Sequence, residues 1–188
     1  MFEQYIYQSI KSRLNPGSIL LISNLDDNDG LHPFLCTERM SDLFVIDDID
    51  YTQLYKQEDV YDNIIIHNAL EYSDKPTVVL QNAAKLLHKQ GVAHIIVPNS
   101  DSIHRLLQDN RQENYKRTYN RSDFWLEVNQ NGFGVTSCEG IMLQPLGNNA
   151  CMSIPESTQD AMYKLSKHRD LWKYCSFLHM MCWNRWSK

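Results

Sequence analysis

The chain has 188 residues, 43% apolar and 22% charged, with a formal net charge of −5. That length suits one domain, 1–188, burying roughly 70% of its unfolded surface, and the acidic balance argues against a general nucleic-acid binder, which needs a basic face for phosphates. No apolar run approaches the roughly 20 residues of a membrane span. Five scattered cysteines, Cys36, Cys138, Cys151, Cys175 and Cys182, contain no C-x-x-C pair, so reduced thiols in a cytoplasmic protein are expected. His179 and Cys182 stand three apart, but no second ligand pair is spaced to complete a zinc site.

MFEQYIYQSIKSRL lacks a signal-peptide pattern and reads as an amphipathic helix over 1–14. The turn Asn15-Pro16-Gly17 leads into a buried strand, Ile19 to Ile22, and then into SNLDDNDG, a loop with a single glycine. Pro33 opens a short helix, PFLCTERM, because the residue before proline is pushed out of the helical region. Leu43 to Ile46 is a second strand, closed by Asp47 and Asp48. YDNIIIH, 61–67, is a third, and its three isoleucines suit a sheet covered on both faces.

The clearest helix follows. Asp74 is its expected cap, Pro76 starts it, Val79, Leu80, Ala83, Leu86 and Leu87 recur at helical spacing, and Gly91 is its expected end. VAHIIV, 92–97, is a fourth strand, stopped by Pro98. Ser122 to Asn131 reads as a helix ending at Gly132, with GFGVTSCEGIML as the next strand. Met162 to Tyr174 is a further helix, and 177–186 either extends it or forms an antiparallel edge strand. Alternating strands and helices predict an α/β, Rossmann-like, doubly wound and mostly parallel sheet.

The block 61–99 resembles the class I S-adenosylmethionine-dependent methyltransferases of the small-molecule type. That family has a strand ending in a "vLEH"-like turn, a proline-started helix, a "lLkpGG"-like turn and a strand closing in "vPN". Here these read NALEY, KPTVVLQNAAKLL, HKQG and IIVPN. NQNGFGVTSCEG resembles the later "GF-v" strand, and FLHMMCWNRWSK then corresponds to the last, antiparallel strand. The resemblance implies an enzyme that transfers a methyl group from S-adenosylmethionine to an unidentified small-molecule or protein acceptor.

Departures from the family concentrate before residue 60. Its first strand ends in an acidic residue and a G-x-G-x-G-like loop; here Leu21 stands near the acidic position, and Ser23, Leu25 and Asp27 near the glycines. Side chains there take up space the ligand needs. Charge does not forbid it, because the cofactor's sulfonium and ammonium are positive and favour nearby carboxylates. Only thirteen residues, 48–60, separate the second strand from YDNIIIH, so one sheet edge is expected to be trimmed. The alternative reading is an inactive scaffold or regulatory partner subunit that has lost cofactor binding.

By the same resemblance Ser23, Asn24, Asp26, Asp47 and Asn68 are the expected cofactor contacts. Asp47, with Asp48 and Asp50 beside it, suits the ribose hydroxyls, since a carboxylate accepts two such bonds. His67 is the candidate general base because its unperturbed pKa lies near neutrality. Glu71, Tyr72, Asn99 and Arg105 are candidate substrate contacts, and Glu71 equally suits bracing the next helix. Arg105, Arg111, Lys116, Arg117 and Arg121, with Tyr115 and Tyr119 among them, place a candidate lid at 100–121 that suits an acidic substrate or a protein partner. Trp172, Tyr174, Phe177, Trp183 and Trp186 make the segment 156–188 aromatic; packing is the plain account, and exposure would mark a homodimer or partner surface.

Overall fold

The computed structural model describes residues 3–23, 30–36, 42–45, 60–103, 105, 115–143, 155–168 and 170–186. Within them lie α1 (Glu3–Lys11), β1 (Ile19–Ser23), α2 (His32–Cys36), β2 (Asp42–Val45), β3 (Tyr61–His67), α3 (Pro76–Leu86), β4 (Leu87–Pro98), α4 (Arg121–Gln130), β5 (Phe133–Ile141), α5 (Glu156–Ser166) and β6 (Phe177–Asn184). The strands form one sheet in the order β2-β1-β3-β4-β6-β5. β1 to β4 run parallel, and β6 lies antiparallel between β4 and β5. The expected Rossmann-like sheet with an antiparallel last strand is therefore present. The segment that would decide whether its β2 edge is trimmed, 46–59, lies outside the described residues.

The chain winds from β1 outward to β2, then returns to β3 on the other side of β1. The strand order therefore reverses between β1 and β3, where a doubly wound sheet opens a crevice beyond its carboxyl ends. Period-two alternation divides the core between the two faces. Leu20, Ile22, Ile64, Ile66, Ile95 and Val97 pack against α3 and α4 on one face. Ile19, Leu21, Ile65 and Ile96 pack against Tyr5, Ile6 and Ile10 of α1, with Leu31 and Leu35 at α2, on the other. β3 is buried almost throughout, which is why three consecutive isoleucines serve it.

Three sequence expectations need correction. Gly91 does not end α3; the helix stops at Leu86 and the backbone is extended from Leu87 onward, with Gly91 inside β4. The stop comes from a distant residue. Asn184 Nδ2 donates to Ala84 O at 2.7 Å and to Leu87 O at 2.9 Å, taking carbonyls at the helix end that glycine geometry would otherwise satisfy. Asp74 does not cap α3 either: Lys75 stands at that position with no side-chain cap, and the Asp74 carboxylate pairs with Lys116 Nζ at 2.9 Å. Finally, Met162–Tyr174 is not one helix. α5 ends at Ser166, whose hydroxyl donates to Tyr163 O, and a separate 3-10 turn spans Trp172–Tyr174.

The Asn184 clamp makes a first prediction. Asn184→Ala removes both carbonyl contacts and the bond from Trp186 N to Asn184 Oδ1, so urea unfolding should show a loss of about 2 kcal/mol. A change within about 0.5 kcal/mol, as for an ordinary surface substitution, would show that the helix end holds without it.

Candidate functional site

The parallel register sets Ile22 opposite Ile66 and His67 opposite Ile96, so Ser23 and His67 end neighbouring strands at the same level. Alternation also fixes their face. Ser23 follows Leu21 by two and His67 follows Ile65 by two, and both Leu21 and Ile65 lie under α1. Ser23 and His67 are accordingly buried on the α1 side of the crevice. Leu21, near the position where the family resemblance puts an acid, is fully buried core.

Asn68 turns the chain sharply after β3 with φ of 50°, a left-handed conformation that asparagine tolerates better than most side chains. Its Nδ2 lies 3.2 Å from His67 Nδ1. An amide nitrogen only donates, so Nδ1 accepts and the proton of the neutral ring sits on Nε2. In this arrangement His67 offers a hydrogen-bond donor at Nε2. Service as a base requires Asn68 to release Nδ1.

α1 brings a further group. Asn15, just beyond the helix, binds the start of β3 and of β4: its backbone N–H donates to Asn63 Oδ1 at 2.7 Å and its side chain to Gln90 O at 2.8 Å. The helix therefore runs back along the strands, and its nine residues cover about 13 Å. That leaves Glu3, in its first turn, at the carboxyl end of the sheet. The Glu3 side chain lies against Gly30, where an added Cβ would come within 2.8 Å of its Cγ. Burial alone would raise the Glu3 carboxyl, but a side-chain hydrogen bond and the charge of the chain's own N-terminal ammonium hold it below its ordinary value.

On the other flank, 115–119 is strapped across the loop after β3. Glu71 O accepts from Lys116 N at 2.8 Å and from Arg117 N at 3.3 Å, and Ser100 N donates to Tyr119 O at 2.8 Å. Tyr115 meets Tyr72 edge-on at 5.2 Å, and the Arg105 guanidinium stands 5.1 Å from the Tyr115 ring. Burial, with Glu127 nearby, pushes the Tyr119 phenol well above its ordinary range, so it stays neutral. Glu71 is wholly buried beneath this strap.

Asn99 is also buried, and its polar atoms are committed to the fold. Nδ2 donates to Lys173 O and Cys175 O, each at 2.8 Å, and Oδ1 accepts from Asp101 N at 3.1 Å. It braces the 3-10 turn against the end of β4. Of the expected site residues, then, Ser23, His67, Asn68, Glu71, Tyr72, Asn99 and Arg105 share the carboxyl end of the sheet, while Asn24, Asp26 and Asp47 lie outside the described residues. Glu3 was not among the expected contacts, and Tyr115 entered only as a member of the candidate lid. The signal for Glu3 was a carboxylate in the first turn of a helix whose short link to β1 folds it back along the sheet.

No protein-family model matches the chain, and no curated protein matches it. Solved structures do. An S-adenosylmethionine-dependent methyltransferase from Archaeoglobus fulgidus is 13% identical, with a TM-score of 0.61 over 97% of this chain and 92% of its own. A Haloferax volcanii protein solved in complex with the Trm112 methyltransferase activator is 14% identical, with a TM-score of 0.57 over 97% of this chain and 91% of its own. The Burkholderia thailandensis 1,6-didemethyltoxoflavin-N1-methyltransferase, solved with S-adenosylhomocysteine, is 10% identical, with a TM-score of 0.56 over 97% of this chain and 76% of its own. The chain thus has the fold of the class I S-adenosylmethionine-dependent methyltransferases over nearly its whole length. Among the described residues no helix is long and apolar enough to cross a membrane.

Proposed function

We propose that this protein binds S-adenosylmethionine in the crevice between the ends of β1 and β3 and transfers its methyl group to an acceptor. The observation that carries the reading is the convergence of Ser23, His67 and Asn68 at the reversal of strand order. The donor set fits the hydroxyl-rich parts of the ligand, which the Asn68 amide and the Ser23 hydroxyl are suited to bind. Asp47, just beyond β2, is assigned to the ribose hydroxyls.

When bound, the cofactor supplies an electrophilic methyl group on a sulfonium. The chain's own task is mainly to hold two reactants in line. Tyr72 and Tyr115 wall the acceptor side, and the 115–119 strap excludes water from it. His67 Nε2–H would donate to an acceptor oxygen, which keeps a second lone pair for the methyl group. A base is needed only where the acceptor must lose a proton.

Calorimetric titration with S-adenosylhomocysteine tests the reading. One saturable site and a rise in melting temperature are expected. No heat and no thermal shift at millimolar ligand would overturn it in favour of a scaffold that has kept the fold alone.

A further inference from the structure

The geometry points to a second binding site, at the opposite end of the sheet from the crevice, for a flat aromatic anion such as an aryl phosphate. It stands independently of the cofactor-binding reading above.

The elements fix the place. β6 runs antiparallel to β4, so its far end, Asn184 to Trp186, reaches the amino ends of the parallel strands. The last turn of α3 and the first residues of β4 meet it there, with Val60 just ahead of β3. Between them lies a cleft of about 480 Å³, a size that suits a small-molecule site. Ala84 and Leu87 give it a buried apolar lining, and Trp186 stands over it half-exposed.

The Trp186 ring is held in position. Its backbone N–H donates to Asn184 Oδ1 at 2.9 Å. Its indole lies against Gly132, where an added Cβ would come within 2.9 Å of the ring's Cδ2 and 3.0 Å of Ala84 Cβ. Gly132 also has a φ of 99°, so both space and backbone call for glycine there. A ring fixed on one side and half-exposed on the other suits stacking against a second flat ring.

The charge of the partner follows from the rim. Among the described residues that line the cleft, Lys85, His88 and Lys89 are the ionisable ones and none is a carboxylate, in a chain of net charge −5. His88 Nδ1 accepts from Gln90 N at 3.3 Å, so the neutral ring carries its proton on Nε2 and offers a donor. An ammonium has three donors, so a lysine that already makes one contact can make another. The carbonyl end of α3 opposes an anion, but Asn184 Nδ2 takes the Ala84 and Leu87 carbonyls and leaves the cations to set the sign. Lys85 also complements the helix end, and that structural role predicts a stability change with no ligand selectivity.

The test titrates the full chain by calorimetry with naphthyl phosphate, naphthol and inorganic phosphate, and repeats it on Trp186→Leu, Trp186→Phe and the double variant Lys85→Gln, Lys89→Gln. We expect one saturable site for naphthyl phosphate, with naphthol and inorganic phosphate each much weaker. Trp186→Leu should weaken naphthyl phosphate at least about fivefold, while Trp186→Phe keeps most of the affinity. The lysine variant should bind more weakly and with less dependence on salt. Unchanged binding in Trp186→Leu places the ligand elsewhere, the crevice included, and overturns the site. Naphthol or inorganic phosphate binding as tightly as naphthyl phosphate overturns the aromatic-anion chemistry, and no heat at millimolar probe overturns both. Dimerisation that grows with protein concentration and disappears in Trp186→Leu assigns the cleft to a second copy instead. If Trp186→Leu melts early, the lysine variant decides: unchanged affinity and salt dependence overturn the assignment.

Discussion

Glu139→Ala should destabilise the protein by about 3 kcal/mol or more, far beyond an ordinary surface change. Glu139 on β5 is the hub of a polar cluster between the sheet and the α1–α5 layer. Arg13 reaches it through two nitrogens, at 2.5 Å and 3.2 Å, Lys167 approaches to 3.8 Å, and His179 Nδ1 lies at 3.1 Å. His179 Nε2 in turn lies 3.0 Å from His94 Nδ1, and both rings are fully buried. With Glu139 ionised, His179 donates from Nδ1 and accepts at Nε2, so His94 donates from Nδ1 and both rings are neutral. Removing the carboxylate takes the acceptor from the buried His179 and the two-nitrogen partner from Arg13, while Lys167 keeps Ser9 Oγ at 2.9 Å.

The same chain of bonds sets the acid response. Burial, then the charge of His179, lowers the His94 pKa from 6.5 to about 3. Burial also lowers His179, against the pull of Glu139. Burial alone would raise the Glu139 carboxyl, yet hydrogen bonds from His179 and Arg13, with Lys167 nearby, hold it at about 2. In each case the folded state binds fewer protons than the unfolded state, so stability rises with pH. The histidine contribution is present above about 6.5 and drains as pH falls towards about 3. The carboxylate contribution drains from about 4.5 towards about 2.

Urea unfolding should therefore lose about 2 kcal/mol to His94 alone by pH 5. His94→Gln keeps a donor towards His179. It should be the less stable protein at pH 7.5 and should close on wild type as the pH falls. Parallel profiles would show that the ring does not titrate as its burial requires.

What could be read before the structure divides by the distance over which each feature is decided. β3 was legible to the residue because burial on both faces writes itself as an unbroken apolar run. The end of α3 was not: Gly91 offered a local stop, while the operative cap, Asn184, comes from about a hundred residues further along. The 177–186 segment stayed ambiguous because its periodicity suits either structure, and only pairing with β4 on one side and β5 on the other makes it a strand. The site divides in the same way. His67, Asn68 and Ser23 were legible as strand ends. The bracing role of Asn99 depends on the 173–176 turn, and the approach of Glu3 depends on the direction in which α1 packs.

That 173–176 turn carries the other large effect. Gly140→Ala should cost about 3 kcal/mol or more, because an added Cβ would lie inside contact distance of the Trp172 carbonyl oxygen and 2.8 Å from both Cβ and Sγ of Cys175. The nearest obstacle is backbone and cannot rotate away. Displacing it loosens the carbonyls of Lys173 and Cys175 that Asn99 holds, and also the bond from Ser176 N to Met142 O. The damage thus reaches the carboxyl end of β4, beside the crevice. Gly134→Ala is the matched control. Its Cβ would also run into a neighbour, but that neighbour is the ring of Trp183, half-exposed and able to swing towards solvent. On the same edge strand, then, Gly140→Ala should shift the urea midpoint strongly and Gly134→Ala much less. Equal losses would mean that the backbone approach at 140 yields as readily as an exposed ring, and that the turn is not held against β5 by the missing side chain.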